Sequence, residues 1–412
     1  MHTLNLRPSR RAVLRAGLLG GAALTIRPWS FGTAADAAPL PADTLAAANL
    51  TFAFRLRNAV SGTGAPTNLL LSPLSVSIAL AMVFNGAHGA TRRAMAAAMN
   101  LGTMTTADLN KVNAALLAGL PTRDDKVDLE IADSLWQRQD LTLLPSFIAA
   151  VGKAYGAAPT RLDFADPRAP SVINAWVKKH THGLIPRIVK QIPPEMVLFL
   201  VNALYFKGPW SAQFDPHATS PGPFTLQGGA MVKVPMMSHT SSYSYTKQPG
   251  YEAIRLPYAS GQFSMYLFLP AASTSLSAFL AGLNAHSWAT MLKGLSSRHG
   301  TIMMPRFSVN YTASLNDALG SLGMGVAFDR NQADFSAMAR GRQLFISDVR
   351  HAAVMKVDEK GTIAAAVTSI GVGTTAIMEP QFTMTVNRPF FCAIRDETTG
   401  TILFLGTVVD PR

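Results

Sequence analysis

Cysteine is nearly absent from this sequence, since Cys392 is the single one among 412 residues. One cysteine cannot form an intramolecular disulfide, which excludes a small disulfide-stapled scaffold and a zinc site built from several thiolates. Charged residues are also scarce, at 15% of the chain against 48% hydrophobic residues, and this balance excludes an intrinsically disordered protein. The chain must therefore bury a large core without covalent cross-links.

Long hydrophobic runs are missing as well. The apolar stretch from Ala16 to Ile26 has 11 residues, whereas a membrane-spanning helix needs about 20. It follows the pair Arg10-Arg11 and precedes small residues that include Ala35-Asp36-Ala37. This layout is typical of a secretory signal, and the paired arginines resemble a bacterial twin-arginine signal. We expect residues 1–37 to be an export signal, the mature protein to be periplasmic or extracellular, and no membrane partner.

The formal net charge of +12 is divided between this signal and the rest of the chain. Residues 1–37 carry five arginines and one aspartate, a net charge of +4, which leaves +8 for residues 38–412. That remaining charge is scattered and includes no run of five basic residues. We therefore expect no nucleic-acid partner.

Catalytic and metal-binding motifs are absent too. The sequence contains no G-x-S-x-G, no H-E-x-x-H and no Walker lysine loop. His180 and His182 are two positions apart at the end of a predicted helix, where they would not share a helical face. We interpret them as surface histidines. The sequence therefore predicts a protein that is not an enzyme and that uses no metal and no cofactor.

The hydrophobic periodicity changes along the chain and indicates an α+β fold. The first half has helical spacing in several segments, namely 43–60, 73–86, 91–100, 106–120, 145–156 and 171–182. The second half is richer in strand patterns, which cover 197–206, 263–270, 353–357, 382–386 and two strands within 386–409. No linker interrupts residues 38–412, so we expect one domain with a large sheet.

The segment from Gly361 to Met378 is unusual because its 18 residues include neither a charge nor a proline. Strands usually have about 5–6 residues, so the whole segment cannot be one strand. An exposed loop so apolar would promote aggregation. The segment is either a core strand with a glycine-rich end, or a segment that is a loop in one state and a strand in another.

Several motifs, in order along the chain, resemble those of the serpins, and the likeness runs from about residue 45 to the C-terminus. The motifs cover residues 68–77, 200–210, 232–237, 304–307, 358–362 and 387–391. The resemblance implies the serpin fold, with helices around a large mixed main sheet, two further sheets, and an exposed reactive-centre loop at about 359–380.

The resemblance also implies a function, the single-use inhibition of serine proteases. A target protease cleaves the loop and forms an acyl-enzyme, and the cleaved loop then inserts into the main sheet and distorts the protease. The protein would be a suicide substrate and is expected to be a monomer. The alternative is a non-inhibitory serpin that binds a ligand or acts like a chaperone.

The hinge of the loop must be small, uncharged on its inward face and free of proline if it is to enter a sheet. Residues 362–369 satisfy all three conditions. With a period of two, the inward face would carry alternate residues of this segment, and Ile363, where the family often has glutamate, would face outward. The hinge residues implied by the resemblance are Glu359, Gly361, Thr362, Ala364, Ala365, Ala366 and Thr368.

The resemblance places the reactive bond sixteen positions after Glu359, between Thr375 and Ala376. A threonine before the cleaved bond suits a shallow specificity pocket, so we expect an elastase-like or subtilisin-like serine protease as the partner. A shift to Ile377 or Met378 would suit a chymotrypsin-like enzyme, and a cysteine protease remains open. The segment contains no lysine or arginine, which disfavours a trypsin-like target.

Two further sets of residues match the family's sheet-opening machinery. In this family, a polar cluster lies where the central strands of the main sheet separate. A second set, the breach, lies where the reactive-centre loop first enters that sheet. The resemblance assigns Ser72, Ser75, Asn202 and His351 to the cluster. It assigns Trp210 and Arg306 to the breach, with Arg306 paired to Glu359. Cys392 lies in an apolar strand, where we expect a buried, inert thiol.

Overall fold

A computed structural model describes residues 41–62, 64–193, 195–340, 344–362 and 379–412 of this chain. They lie in one compact unit, Leu40–Arg412. The expected export signal, the reactive bond Thr375–Ala376 and part of the expected hinge lie outside the described residues. These hinge residues are Ala364, Ala365, Ala366 and Thr368.

The first six helices agree with the predicted segments to within a few residues at their ends, whereas the four described helices after residue 270 were not predicted. The helices are α1 (Pro41–Ser61), α2 (Pro73–Phe84), α3 (Gly89–Ala98), α4 (Thr106–Gly119), α5 (Pro145–Tyr155), α6 (Ala169–His180), α7 (Leu276–Ala281), α8 (Ala285–Lys293), α9 (Asn316–Leu319) and α10 (Gly325–Phe328). Short 3₁₀ turns cover Leu120–Thr122 and Pro216–Ala218, and a π turn covers Gly320–Met324.

The strands are concentrated in the second half, as the sequence predicts. They are β1 (Leu69–Leu71), β2 (Asp128–Arg138), β3 (Thr160–Leu162), β4 (Leu198–Pro209), β5 (Ser220–Thr225), β6 (Met231–Gln248), β7 (Tyr251–Tyr258), β8 (Phe263–Pro270), β9 (Ser296–Pro305), β10 (Phe307–Ser314), β11 (Ile346–Asp358), β12 (Gly361–Thr362), β13 (Phe382–Thr385), β14 (Phe390–Asp396) and β15 (Ile402–Val408).

Helix α2 runs through the interior, and every residue in it is buried. The Ser72 side chain accepts a hydrogen bond from the Ser75 amide, and Pro73 occupies the first turn, where its missing N–H costs nothing. Burying each large aliphatic side chain contributes roughly 1.5–3 kcal/mol, so this helix is held mainly by packing. It places Ser72 and Ser75 beneath the main sheet.

The main sheet is mixed, with the strand order β10-β11-β12-β4-β2-β3. Five of these strands have three or more residues, and the sixth, the two-residue β12, lies between β11 and β4. Helix α6 covers the face opposite α2, where Ile173 and Val177 pack in one hydrophobic cluster with Val201 of β4 and Trp136 of β2. The expected α+β architecture with a large mixed sheet is confirmed.

The remaining strands form a nine-stranded sheet in the order β1-β15-β14-β8-β7-β6-β9-β13, with β5 paired to β6. The resemblance implied two further sheets, and here they are continuous because β6 is 18 residues long. It pairs with β9 along its middle and with β7 at its C-terminal end. None of the described helices is long and apolar enough to cross a membrane.

His180 and His182 are partly exposed, as the sequence-based interpretation predicts, and both rings contact Glu130 of β2. His180 pairs with one oxygen of Glu130, and His182 Nε2 lies 3.3 Å from the other. His182 lies beyond the end of α6 with a φ of 49°, which turns its ring back toward the sheet. Within the described residues, no group of three or more potential metal ligands is found.

Candidate functional site: the opening of the main sheet

The centre of the main sheet is a parallel pair of strands, β4 and β11. They are paired from Leu198 and Ile346 up to Leu204 and Ala353. Above this point β12 lies between them and runs antiparallel to both, with Thr362 opposite Gly208 on one side and Val357 on the other. The sheet is thus closed in its lower part and already separated at its upper end.

The first residues of the expected loop belong to this sheet. We expected an exposed loop from about residue 359, but Glu359 is 4% exposed and Thr362 is 1% exposed. The reason is the tight turn at Glu359-Lys360, in which the Asp358 carboxylate accepts a hydrogen bond from the Lys360 amide at 2.9 Å. The turn reverses the chain and directs Gly361-Thr362 into the gap.

Gly361 makes this close approach feasible. A Cβ atom at this position would lie 2.1 Å from the carbonyl oxygen of Gly208, well inside van der Waals contact, and the backbone has a φ of +153°. Any other residue would push β12 away from β4. The resemblance implies that Gly361 is a hinge residue, and the structure shows that a side chain at this position would collide with β4.

Trp210 and Tyr258 form the floor beneath the inserted hinge. The Trp210 indole donates a hydrogen bond to the Asp358 carbonyl at 2.9 Å, and its ring stacks on Tyr258 with centroids 4.5 Å apart. The Tyr258 hydroxyl lies 2.6 Å from the Thr362 hydroxyl. Burial raises the pKa of Tyr258 well above its ordinary value, so the phenol keeps its proton. Sequence reasoning missed Tyr258, because no pattern in the neighbouring residues indicates that this tyrosine contacts the hinge.

One oxygen of the Glu359 carboxylate accepts two hydrogen bonds and an ion pair. Arg306 Nε donates to Oε1 at 2.6 Å and the Thr219 hydroxyl donates at 2.5 Å, while a terminal guanidinium nitrogen of Arg306 lies 2.6 Å from the same oxygen. Burial alone would raise the pKa of Glu359, but these hydrogen bonds and the Arg306 charge outweigh it and lower the pKa. Glu359 and Arg306 therefore form the expected ion pair. Thr219 is a further partner of Glu359 that no motif in the sequence indicated.

Replacing Arg306 with methionine should loosen this turn. At pH 7 the buried carboxylate would lose its main partner, at a cost of about 1–2 kcal/mol because Arg306 is itself partly exposed. Since the folded pKa of Glu359 is depressed, its contribution is present above the unfolded value of 4.5 and is lost as the pH falls through the folded pKa. Melting curves should thus show a deficit at pH 7 that shrinks as the pH falls below 4.5 and through the folded pKa. Arg298→Met, at an exposed position of β9, is the control, and an equal deficit in both variants would contradict the assignment.

The four residues of the expected sheet-opening cluster lie together where β4, β11 and α2 meet. All are buried, and Asn202 and His351 are direct partners in the parallel pair. The Ser75 hydroxyl and His351 Nδ1 each lie 2.8 Å from Asn202 Oδ1, and the Ser72 amide donates to His351 Nε2 at 3.2 Å. Burial lowers the pKa of His351 to about 4, so the ring is neutral at physiological pH.

Asp133 of β2 also contacts the cluster, because it accepts a hydrogen bond from the Asn202 side chain. Sequence reasoning missed this residue, because an aspartate in a strand usually indicates a solvated position. Cys392 is buried as expected, and burial raises the pKa of its thiol to about 12, so it stays protonated.

This arrangement has counterparts among known proteins. The family model described as Serpin (serine protease inhibitor) matches residues 47–411. The human leukocyte elastase inhibitor is 33% identical over 382 residues, which cover 90% of this chain and 100% of that protein. The native crystal structure of the thermophilic serpin tengpin superposes with a TM-score of 0.82 at 32% identity, covering 89% of this chain and 94% of tengpin.

Human thyroxine-binding globulin has a similar structure, with a TM-score of 0.83 at 26% identity over 90% of this chain and 100% of that protein. The fold therefore occurs in proteins whose names denote different activities. The family match covers most of the chain, and the matched residues include the whole sheet-opening region described above. The chain belongs to the serpin family.

Proposed function

We propose that this serpin inhibits serine proteases as a single-use covalent trap. The observation that carries the proposal is the position of Gly361-Thr362, which lie between β11 and β4 and run antiparallel to both. A strand begun in this way can be extended downward only by separating the parallel pair below it. We further propose that the protein acts as a monomer and is exported to the periplasm or beyond, which the layout of residues 1–37 supports.

The register of β12 supports insertion of the following residues. If the pairing of Thr362 with Gly208 and Val357 continues, Ala366 would lie between Leu204 and Ala353, where the closed pairing begins. Thr368 would then lie between Asn202 and His351, the centre of the polar cluster. Its hydroxyl can both donate and accept, so it could replace the hydrogen bond that breaks when these two residues separate.

Insertion is favourable for a physical reason visible in the strand order. It replaces one parallel pairing, β4 with β11, by two antiparallel pairings, and antiparallel pairing is slightly more stable per residue. It also adds a full set of main-chain hydrogen bonds, each worth roughly 1 kcal/mol net. The inward residues are alanine and threonine, which are small enough to pass between the two strands.

The trap requires cleavage to stop at the acyl-enzyme. The catalytic serine of the protease attacks the Thr375 carbonyl, the bond to Ala376 breaks, and the Ala376 amine leaves with the proton taken from the serine. Thr375 is then esterified to the protease, and insertion of residues 363 onward would carry the enzyme to the far end of the sheet. Elastase-like or subtilisin-like enzymes are the proposed targets, and the similarity to the leukocyte elastase inhibitor supports the first class.

Mixing the purified protein with pancreatic elastase, subtilisin and trypsin tests the proposal. Elastase or subtilisin should give a complex that survives denaturing electrophoresis at the summed mass, and mass spectrometry should find a released peptide beginning at Ala376. Trypsin should give none. Cleaved protein beside fully active protease throughout the panel would overturn the proposal and favour a ligand-binding role, as the name of thyroxine-binding globulin denotes for that neighbour.

A further inference from the structure

A directed chain of hydrogen bonds crosses the main sheet from α2 to β2. The Ser72 amide can only donate, and it donates to His351 Nε2 at 3.2 Å. A neutral imidazole has one N–H, and the tautomer that satisfies the Ser72 amide carries it on Nδ1, which lies 2.8 Å from Asn202 Oδ1. The Asn202 amide must then direct Nδ2 away, and Nδ2 donates to Asp133 Oδ1. Asp133 is the terminal acceptor of the chain.

Asp133 occupies a position that ties β2 to this chain. It lies directly opposite Asn202 in the antiparallel pairing of β2 with β4. Alternation along β2 places it on the face that carries Leu129 and Leu135, toward the core. Its second oxygen, Oδ2, is buried without a hydrogen-bond partner among the described residues. Asp133 as a whole residue is half-buried, but its carboxylate has one hydrogen-bond donor among the described residues, fewer than a desolvated negative charge needs.

Among the residues that the structure describes, the elements packed on β2 supply no compensating cation to Asp133. Helix α2 has no titratable residue, and the basic end of α6 lies on the opposite face of the sheet. Lys207 of β4 is opposite Asp128, and Arg161 of β3 is opposite Gln137. His351 is the titratable group that shares the chain with Asp133. Burial raises the pKa of Asp133 to about 8, although the hydrogen bond from Asn202 opposes the rise.

We propose that Asp133 is a positioning residue of the sheet-opening cluster. By accepting from Asn202, it holds the amide in the orientation that binds His351 across the parallel pair, and loss of its proton weakens the closed sheet. The inference rests on the proposed function in one respect, because it takes loop insertion to be the purpose of opening the sheet. The pH dependence of the closed sheet can be measured on the native protein in the absence of any protease.

The direction of the pH effect follows from the two titrating groups. The folded pKa of Asp133 is above its unfolded value of 3.8, so its contribution to stability is present below that value and is lost as the pH rises to about 8. The folded pKa of His351 is below its unfolded value of 6.5, so stability falls as the pH decreases from 6.5 to about 4. The two effects oppose each other between about pH 4 and 6.5, and Asp133 acts alone from about 6.5 to 8.

Two substitutions separate the acceptor from the charge. Asp133→Asn keeps an oxygen for Asn202 but cannot ionise, whereas Asp133→Leu removes the acceptor and leaves Asn202 Nδ2 unpaired. Asp128→Asn makes the same change of charge at an exposed position of the same strand and is the matched control. The measurement is the melting temperature of the native protein and of each variant from pH 5 to pH 9.

We expect the advantage of Asp133→Asn over the native protein to grow as the pH rises and to level off above about pH 8, reaching about 5 °C. Asp128→Asn should follow the native profile, and Asp133→Leu should melt lower at every pH. Parallel pH profiles for the native protein and Asp133→Asn would overturn the inference. If Asp133→Leu fails to fold, comparing the pH profiles of the native protein and Asp133→Asn still tests the inference.

The same variants distinguish this inference from the proposed function. Complex formation with elastase is measured separately at pH 7. A pH difference in melting without any protease complex would support Asp133 and contradict the inhibitory function. Complex formation with identical melting profiles would contradict the role of Asp133 and support the inhibitory function.

Discussion

Replacing Thr362 with arginine should convert the protein from an inhibitor into a substrate. Thr362 is 1% exposed, and its hydroxyl lies 2.6 Å from that of Tyr258. A guanidinium there would be a buried charge without an acid partner, which costs several kcal/mol, on the order of 3–5. The hinge would stay out of the sheet, and the protease would hydrolyse the acyl-enzyme before insertion. Denaturing electrophoresis should show only cleaved serpin, and the elastase should keep its full activity.

Ile363→Arg is the matched control for this variant. It adds the same side chain one position along the chain, where the alternation of an inserted strand would turn it outward. This variant should still form the complex, although the rate of trapping would change. A Thr362→Arg protein that traps elastase as well as the native protein does would contradict the insertion mechanism.

Cleavage of the reactive loop should raise the melting temperature of the native protein by about 10 °C or more, because an additional strand contributes hydrogen bonds worth several kcal/mol in total. The gain arises from replacing the parallel pairing of β4 with β11 by two antiparallel ones. A protease that cuts near Thr375 without being trapped would generate the cleaved form, and calorimetry before and after cleavage measures the shift.

The Thr362→Arg variant also serves as the control for this experiment. Its cleaved form should melt close to its uncleaved form, because the hinge cannot enter the sheet. If the cleaved native protein gains no stability, the loop does not insert, and the non-inhibitory alternative becomes the better interpretation. The experiment is independent of which protease is the natural target.

The first six helices and the longest buried strands were accessible to sequence reasoning because each has a local signal. Ser72 followed by Pro73 predicts the start of α2, and the continuous apolar run 197–206 predicts the buried strand observed at Leu198–Pro209. Family motifs also pointed to the sheet-opening cluster, whose four members prove to be in contact. The position of the hinge was less accessible, since we expected exposure at residues that are buried.

Residues that act across the sheet had no such signal. Tyr258 and Thr362 are separated by 104 positions, and Asn202 and Asp133 by 69. Nothing in the residues next to Tyr258 indicates that its hydroxyl contacts the hinge. The aspartate of β2 was likewise indistinguishable from a solvated one until its register with Asn202 was known.

By itself, the sequence determined the class of fold, the family and the uncharged, proline-free segment suited to enter a sheet. These features depend on composition, period and motif order, which are properties of neighbouring residues. Only the tertiary structure decided that Gly361-Thr362 already lie within the sheet, that Tyr258 and Thr219 hold the hinge, and that Asp133 ends the polar chain. These contacts depend on strand register and side-chain direction between distant segments, and no local pattern encodes either.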